Sequence, residues 1–141
     1  MFTNLIPAAA DIIFPSFRAA KLIRAGANVP KIEEHYHYGE TPLFAASKKG
    51  NEKAVKVLLS HDADIEVNCR GNTPLSIATL RGHEQVVKVL LENKANTEAR
   101  DWNQYTSLYT AVLNSNVKIV KMLVAGGANI EARIEQDNKN T

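Results

Sequence analysis

The chain has 141 residues, of which 45% are hydrophobic and 23% charged, with a formal net charge of +2. This length suits one domain or one short repeat array, and the composition is that of a folded soluble protein rather than a disordered one. A surplus of two positive charges is too small to argue for nucleic acid or an anionic membrane as a partner.

Cys69 is the one cysteine. It cannot form an internal disulfide or a cysteine metal cluster, so the expected compartment is reducing and cytoplasmic. No apolar run reaches the roughly 20 residues that a membrane-spanning helix needs. Residues 1–17 are apolar, but they lack a Lys/Arg-rich start and are broken by Pro7, Asp11 and Pro15. They read as part of the fold rather than as a signal peptide.

From residue 41 onward the chain repeats itself. Thr41-Pro42-Leu43 recurs as Thr73-Pro74-Leu75 and then as Thr106-Ser107-Leu108, at spacings of 32 and 33 residues. Behind each Thr, at matching offsets, come Ala46, Ala78 and Ala111, then Gly50, Gly82 and Ser115. Further on come Leu58-Leu59, Leu90-Leu91 and Leu123-Val124, and finally Ala63, Ala95 and Ala128.

Each unit reads as helix, turn, helix, hairpin. A Thr before Pro can cap a helix start, and Pro at the first helical position needs no N–H. Gly50 and Gly82 then end the first helix in the left-handed conformation. These signals predict helices over 42–49 and 52–60, 74–81 and 84–92, and 107–114 and 117–125. The second helices carry apolar stripes of Val55, Leu58 and Leu59, of Val86, Val87, Leu90 and Leu91, and of Ile119, Val120, Leu123 and Val124. Lys53, Lys56, Glu84, Lys88, Lys118 and Lys121 form the opposite, solvated face. Helices this short are marginal alone, so their stripes must be buried by neighbouring units, and the predicted fold class is an all-α solenoid. The small Ala45 and Ala46 let adjacent first helices approach closely.

The residues that carry this pattern resemble the ankyrin repeat. They are Gly39-Glu40-Thr41-Pro42-Leu43-Phe44-Ala45-Ala46, the Gly82-His83 pair, the run Val86-Val87-Lys88-Val89-Leu90-Leu91, and Gly127-Ala128-Asn129-Ile130. The resemblance implies stacked helix–turn–helix units joined by β-hairpin loops, with repeats over about 36–68, 69–101 and 102–134 and a short polar tail. Some positions depart from the family pattern. Phe44, Ser76 and Tyr109 replace the family's His, Ser107 replaces Pro, and Asp62 and Lys94 stand where Gly usually ends the second helix. The hairpin before Thr73 is one residue short, which implies a tighter or shifted tip.

Upstream, the segment from Lys21 to Asn28 resembles the end of a further repeat, with Ala10 at its inner-helix alanine and about three extra residues before Thr41. Residues 1–35 are therefore expected to form a degenerate first repeat serving as a cap, although Phe2, Leu5 and Ile6 are apolar where a cap should be polar. Downstream, Glu131-Ala132-Arg133 begins a new hairpin with no Thr-Pro-Leu helix behind it. The polar stretch 135–141 cannot cover the third repeat, so the expectation is a piece of a longer array or a fraying end.

The resemblance implies protein–protein binding on a concave face of hairpin tips and first helices. On the tips the residues mapped to that face are Tyr38, Glu40, Arg70, Asn72, Trp102, Asn103 and Tyr105, with His37 and Cys69 beside them. At the first-helix ends they are Lys48, Lys49, Leu80, Arg81, Leu113 and Asn114. These positions carry no expected stacking duty. Trp102, the only Trp, reads either as a binding anchor or as a side chain folded onto a neighbouring hairpin. Lys48, Lys49 and Arg81 give the face a mildly basic character, which leans toward an acidic partner segment. Cys69 reads as a bystander.

His35 and His37 make an H-x-H pair near Glu33 and Glu34, but no further ligand converges with them in sequence. Gly126-Gly127 follows no strand, and no nucleophile–base set is present. The expected protein is therefore a monomeric interaction module without catalytic residues, cofactor or metal. The alternative is a regulatory segment of a larger protein whose enzyme or channel domain lies elsewhere.

Overall fold

A computed structural model describes residues 39–134, so the expected N-terminal repeat, the pair His35 and His37, Tyr38 and the polar tail lie outside the described residues. The described part is all-α, with six short helices in three antiparallel pairs. The pairs are α1 (Pro42–Lys49) with α2 (Glu52–Ser60), α3 (Pro74–Arg81) with α4 (Glu84–Glu92), and α5 (Ser107–Leu113) with α6 (Val117–Ala125).

Each first helix starts on its Thr. The hydroxyls of Thr41, Thr73 and Thr106 accept from the N–H of Phe44, Ser76 and Tyr109, each at 3.2 Å. Where the family's His is replaced by Ser76, the substitute joins the cap: the Thr73 N–H donates to Ser76 Oγ at 2.8 Å, closing a reciprocal capping box. The first helices end on left-handed Gly50 (φ 77°) and Gly82 (φ 73°). At the same place in the third unit Ser115 is forced to φ 56°, and α5 ends one residue earlier than predicted, at Leu113. Asp62 and Lys94, which replace the family's Gly after the second helices, also take positive φ, at 62° and 65°. The turn geometry is thus kept by the fold even where the residue that adopts it most easily is missing.

First helices stack on first helices and second on second, α1–α3–α5 and α2–α4–α6, so each unit meets its neighbours in chain order. Ala46, Ala78 and Ala111 are wholly buried at the close inner contacts. Leu43, Val55, Leu58, Leu75, Val86, Val87, Leu90, Ile119 and Leu123 fill one continuous core between the two layers. Burying a side chain of this size contributes about 1.5–3 kcal/mol, which the isolated helices could not supply. Ser47 and Thr79 are wholly buried, and their hydroxyls have no hydrogen-bond partner among the described residues.

One expectation fails here. Val124, read as part of the third apolar stripe, is 45% exposed. Its counterparts Leu59 and Leu91 are half-buried, because each has a following unit packed against it, and Val124 has none among the described residues.

Candidate interaction face

Two hairpin tips are fully described, and they differ in the predicted sense. Cys69 and Asn72 pair through N–H to C=O bonds of 2.8 and 3.1 Å around Arg70-Gly71. Arg70 (φ 55°) and Gly71 (φ 83°) are both left-handed, the two-residue turn that suits a tight hairpin. The next tip holds one residue more. There the Asp101 N–H donates to the Tyr105 carbonyl at 2.9 Å, and three residues form the crest. Asp101 is buried, and its carboxylate accepts from the N–H of Asn103 at 2.8 Å and of Tyr105 at 3.0 Å. This internal brace lifts Trp102 and Asn103 to the outside.

The tips are seated on one another. A Cβ added to Gly71 would lie 2.6 Å from the Trp102 Cβ, so the root of Trp102 rests on the backbone of the preceding tip. The indole itself remains free: Trp102 is 68% exposed. Of its two readings, the structure places the side chain outward rather than folded onto its neighbours.

The remaining mapped residues divide into open and engaged. Lys49, Arg81, Leu80 and Leu113 are exposed at the first-helix ends. Lys48 and Glu40 instead pair with each other, Nζ to Oε1 at 2.9 Å, which removes part of the expected basic character. Asn72 is half-buried and its Oδ1 accepts from Ser76 Oγ. Tyr105 tilts against Tyr109 with ring centroids 4.8 Å apart. Asn114 donates from Nδ2 to the Leu80 carbonyl at 3.4 Å, across the joint between units. The expectation that none of these positions has a stacking duty is therefore corrected for Asn114, and several others serve the tips themselves. Cys69 is buried against the Gly39 carbonyl, and desolvation pushes its thiol above the ordinary range, which leaves it a poor nucleophile.

Sequence reasoning reads His83 in its Gly-His turn as structural, but it missed the bonds by which His83 and two glutamates tie one unit to the next. His83 stands where Asn51 and Asn116 cap the second helices in the other units, yet it makes no local cap. Its Nε2 donates instead to the Lys48 carbonyl, one unit back, at 2.9 Å. The ring lies so close that a Cβ on Gly50 would come within 2.6 Å of Nδ1. The only sequence sign of this bond was the Gly-His pair. Two glutamates were missed altogether: Glu66 accepts from the Asn96 N–H, and Glu98 from the Asn129 N–H, both at 2.7 Å.

The chain, whose described residues form three stacked helical pairs with capped Thr starts and hairpin tips, matches a family model described as ankyrin repeats in three copies, over residues 9–101 and 66–134. The chain belongs to the ankyrin-repeat family. The matched segments together span most of the chain, and no curated protein matches it. Ankyrin repeats are in general non-catalytic protein-interaction modules. Among the described residues of this ankyrin-repeat array, no helix is long and apolar enough to cross a membrane, and no group of three His, Cys, Asp or Glu side chains converges as a metal site.

Proposed function

We propose that the chain binds a partner protein through the hairpin tips and the exposed ends of its first helices. The observation that carries this reading is Trp102. A braced tip holds a large aromatic side chain 68% exposed, with Leu80 and Leu113, 48% and 57% exposed, at the first-helix ends. Exposed apolar groups on a rigid scaffold are what an interface desolvates, and Trp and Arg are the commonest anchors. Lys49 and Arg81 flank the apolar groups, which favours a partner segment carrying acidic residues. Tyr38, outside the described residues, belongs to the same proposed face by repeat register.

The test is affinity capture with the wild-type chain beside Trp102→Ala and Arg81→Ala variants of matched helicity. A partner retained by the wild type should be lost or weakened by roughly 30-fold or more in Trp102→Ala, the effect of removing an anchor worth about 2 kcal/mol. Folding stability should change by under about 1 kcal/mol, because truncating an exposed side chain opens no cavity. Unchanged capture by both variants would overturn the assignment of this face.

A further inference from the structure

The ends of the first helices carry two adjacent rows that run across the units. One row is Lys48, Leu80 and Leu113, and the other, one position later, is Lys49, Arg81 and Asn114, both at the 32- and 33-residue repeat spacing. The groups left open in these rows differ from unit to unit. Lys48 is tied back to Glu40 at 2.9 Å, and the Asn114 amide is engaged by the Leu80 carbonyl at 3.4 Å. What stands open is Lys49 in the first unit, Leu80 and Arg81 in the second and Leu113 in the third.

Leu80 is exposed although a unit is stacked on either side of it, and Leu113 is open to a similar degree. The openness of this row is thus a property of the face and not of the place where the stack ends. No carboxylate pairs with Lys49 or Arg81 among the described residues. The face is therefore graded along the stack, cationic over the first two units and apolar over the last two. Complementarity asks for a partner graded the other way, acidic at one end and apolar at the other. Spacing narrows its shape. Ala46, Ala78 and Ala111 are buried at the inner contacts, and packed helix axes lie about 8–10 Å apart. An α-helix presents the same side again after seven residues, about 10.5 Å on, whereas a strand does so every two residues, about 6.6–6.8 Å. The helix is the nearer match to Leu80 and Leu113.

We propose that these rows seat an amphipathic α-helix of the partner protein, with two apolar side chains seven residues apart on Leu80 and Leu113 and its acidic end over Lys49 and Arg81. This rests on the partner-binding face proposed for the tips and first-helix ends, and adds the chemistry and direction of what lies on it. The direction is fixed by charge: a reversed helix would set carboxylates on Leu113 and apolar groups on Lys49, and both cations would go unmet. A polyanion such as nucleic acid would meet Lys49 and Arg81 but leave Leu80 and Leu113 uncovered.

The probe is a displayed library of random, Trp-free segments of about 16 residues, four to five helical turns, selected on the whole chain. Enriched segments should carry an apolar pair seven residues apart with acidic residues toward one end, and should gain helicity on binding. Lys49→Glu with Arg81→Glu should weaken them by about tenfold or more and flatten the salt dependence of binding. Leu80→Ser with Leu113→Ser should weaken them to a similar extent and leave the salt dependence in place. All four side chains are exposed, so the variants are compared at matched helicity. Trp102 lies in the third unit and reports direction: a dansyl group on the apolar end of a segment should quench its fluorescence more than the same group on the acidic end. Stronger quenching from the acidic end would overturn the proposal. So would a selection that yields only basic or uniformly acidic segments, or none that tells the wild type from the fourfold variant. Segments weakened by Trp102→Ala but by none of the four substitutions would remove this helix and leave the tips as the binding face. Segments indifferent to all five would remove both.

Discussion

The first two units and the third share one plan but live under different conditions. In the leading units the second helices face another unit, and Leu58 and Leu90 are wholly buried. In the third, Leu123 is equally buried on the inner side, while Val124, one residue on, stands half in solvent. The amphipathic pattern is nearly the same in all three. What an apolar residue contributes is therefore set by the neighbour that covers it, not by the helix that carries it.

The joints differ too. The carbonyl of Lys48 is bonded by the His83 ring at 2.9 Å, whereas the equivalent carbonyl of Leu80 is bonded by the Asn114 amide at 3.4 Å. The bond across the first joint is the shorter, and a Cβ added to Gly50 would meet the His83 ring at 2.6 Å, whereas one added to Gly82 would meet only Asn116 Nδ2, at 3.7 Å.

The largest expected effect tests the burial contrast. Leu90→Ala should destabilise by about 2–5 kcal/mol in chemical denaturation, as a cavity in the middle of the stack. Val124→Ala, on the open side of the third unit, should lose under about 1 kcal/mol, and Lys88→Ala, on the solvated face of α4, should stay within about 0.5 kcal/mol of wild type. Similar losses for Leu90→Ala and Val124→Ala would erase the distinction between covered and uncovered units.

The second effect tests the joint. His83→Ala removes the bond to the Lys48 carbonyl and should cost about 1–2 kcal/mol, the range for a part-buried hydrogen bond left with one partner. His83→Asn should recover part of that loss by capping α4 as Asn51 and Asn116 cap their own helices, through the side-chain oxygen. A loss within about 0.5 kcal/mol for His83→Ala would show that the first joint owes its closeness to packing alone.

These contrasts mark how far the sequence could be read. Helix positions were legible because Thr, Pro and Gly act locally: a capping hydroxyl or a left-handed glycine needs no knowledge of the rest of the fold. The predicted ends agree with the helices except that α5 stops at Leu113. The apolar stripes were legible as stripes, but the fate of Val124 was not, since exposure depends on what packs beyond it. The Glu66 and Glu98 contacts did leave a periodic sign, since Glu66, Glu98 and Glu131 recur at the 32- and 33-residue repeat spacing, but nothing within one unit shows that such a glutamate reaches an N–H about 30 residues on. On the candidate face the place of Trp102 at a tip followed from register, while its outward direction, its seat on Gly71 and the pairing of Lys48 with Glu40 required coordinates.

The smallest effect isolates backbone strain in the turn between first and second helices. Gly50, Gly82 and Ser115 occupy the same place with φ of 77°, 73° and 56°. A side chain in this region costs roughly 1–2 kcal/mol through contact of Cβ with the following carbonyl. Glycine relieves that contact but loses roughly 0.5–1 kcal/mol more chain entropy on folding. Ser115→Gly should therefore stabilise the third unit by about 0.5–1 kcal/mol in denaturant titration. The reciprocal change, Gly82→Ser, should destabilise by a similar amount, because a Cβ there meets only Asn116 Nδ2 at 3.7 Å, an ordinary contact. Gly50→Ser should lose more, because its Cβ would come within 2.6 Å of the His83 ring and disturb the bond to Lys48. The order of the three is the measurement. Equal losses at Gly50 and Gly82 would mean that the ring gives way freely and the first joint is no tighter than the second. A loss rather than a gain for Ser115→Gly would mean that the serine side chain contributes more to the third turn than its strained backbone takes away.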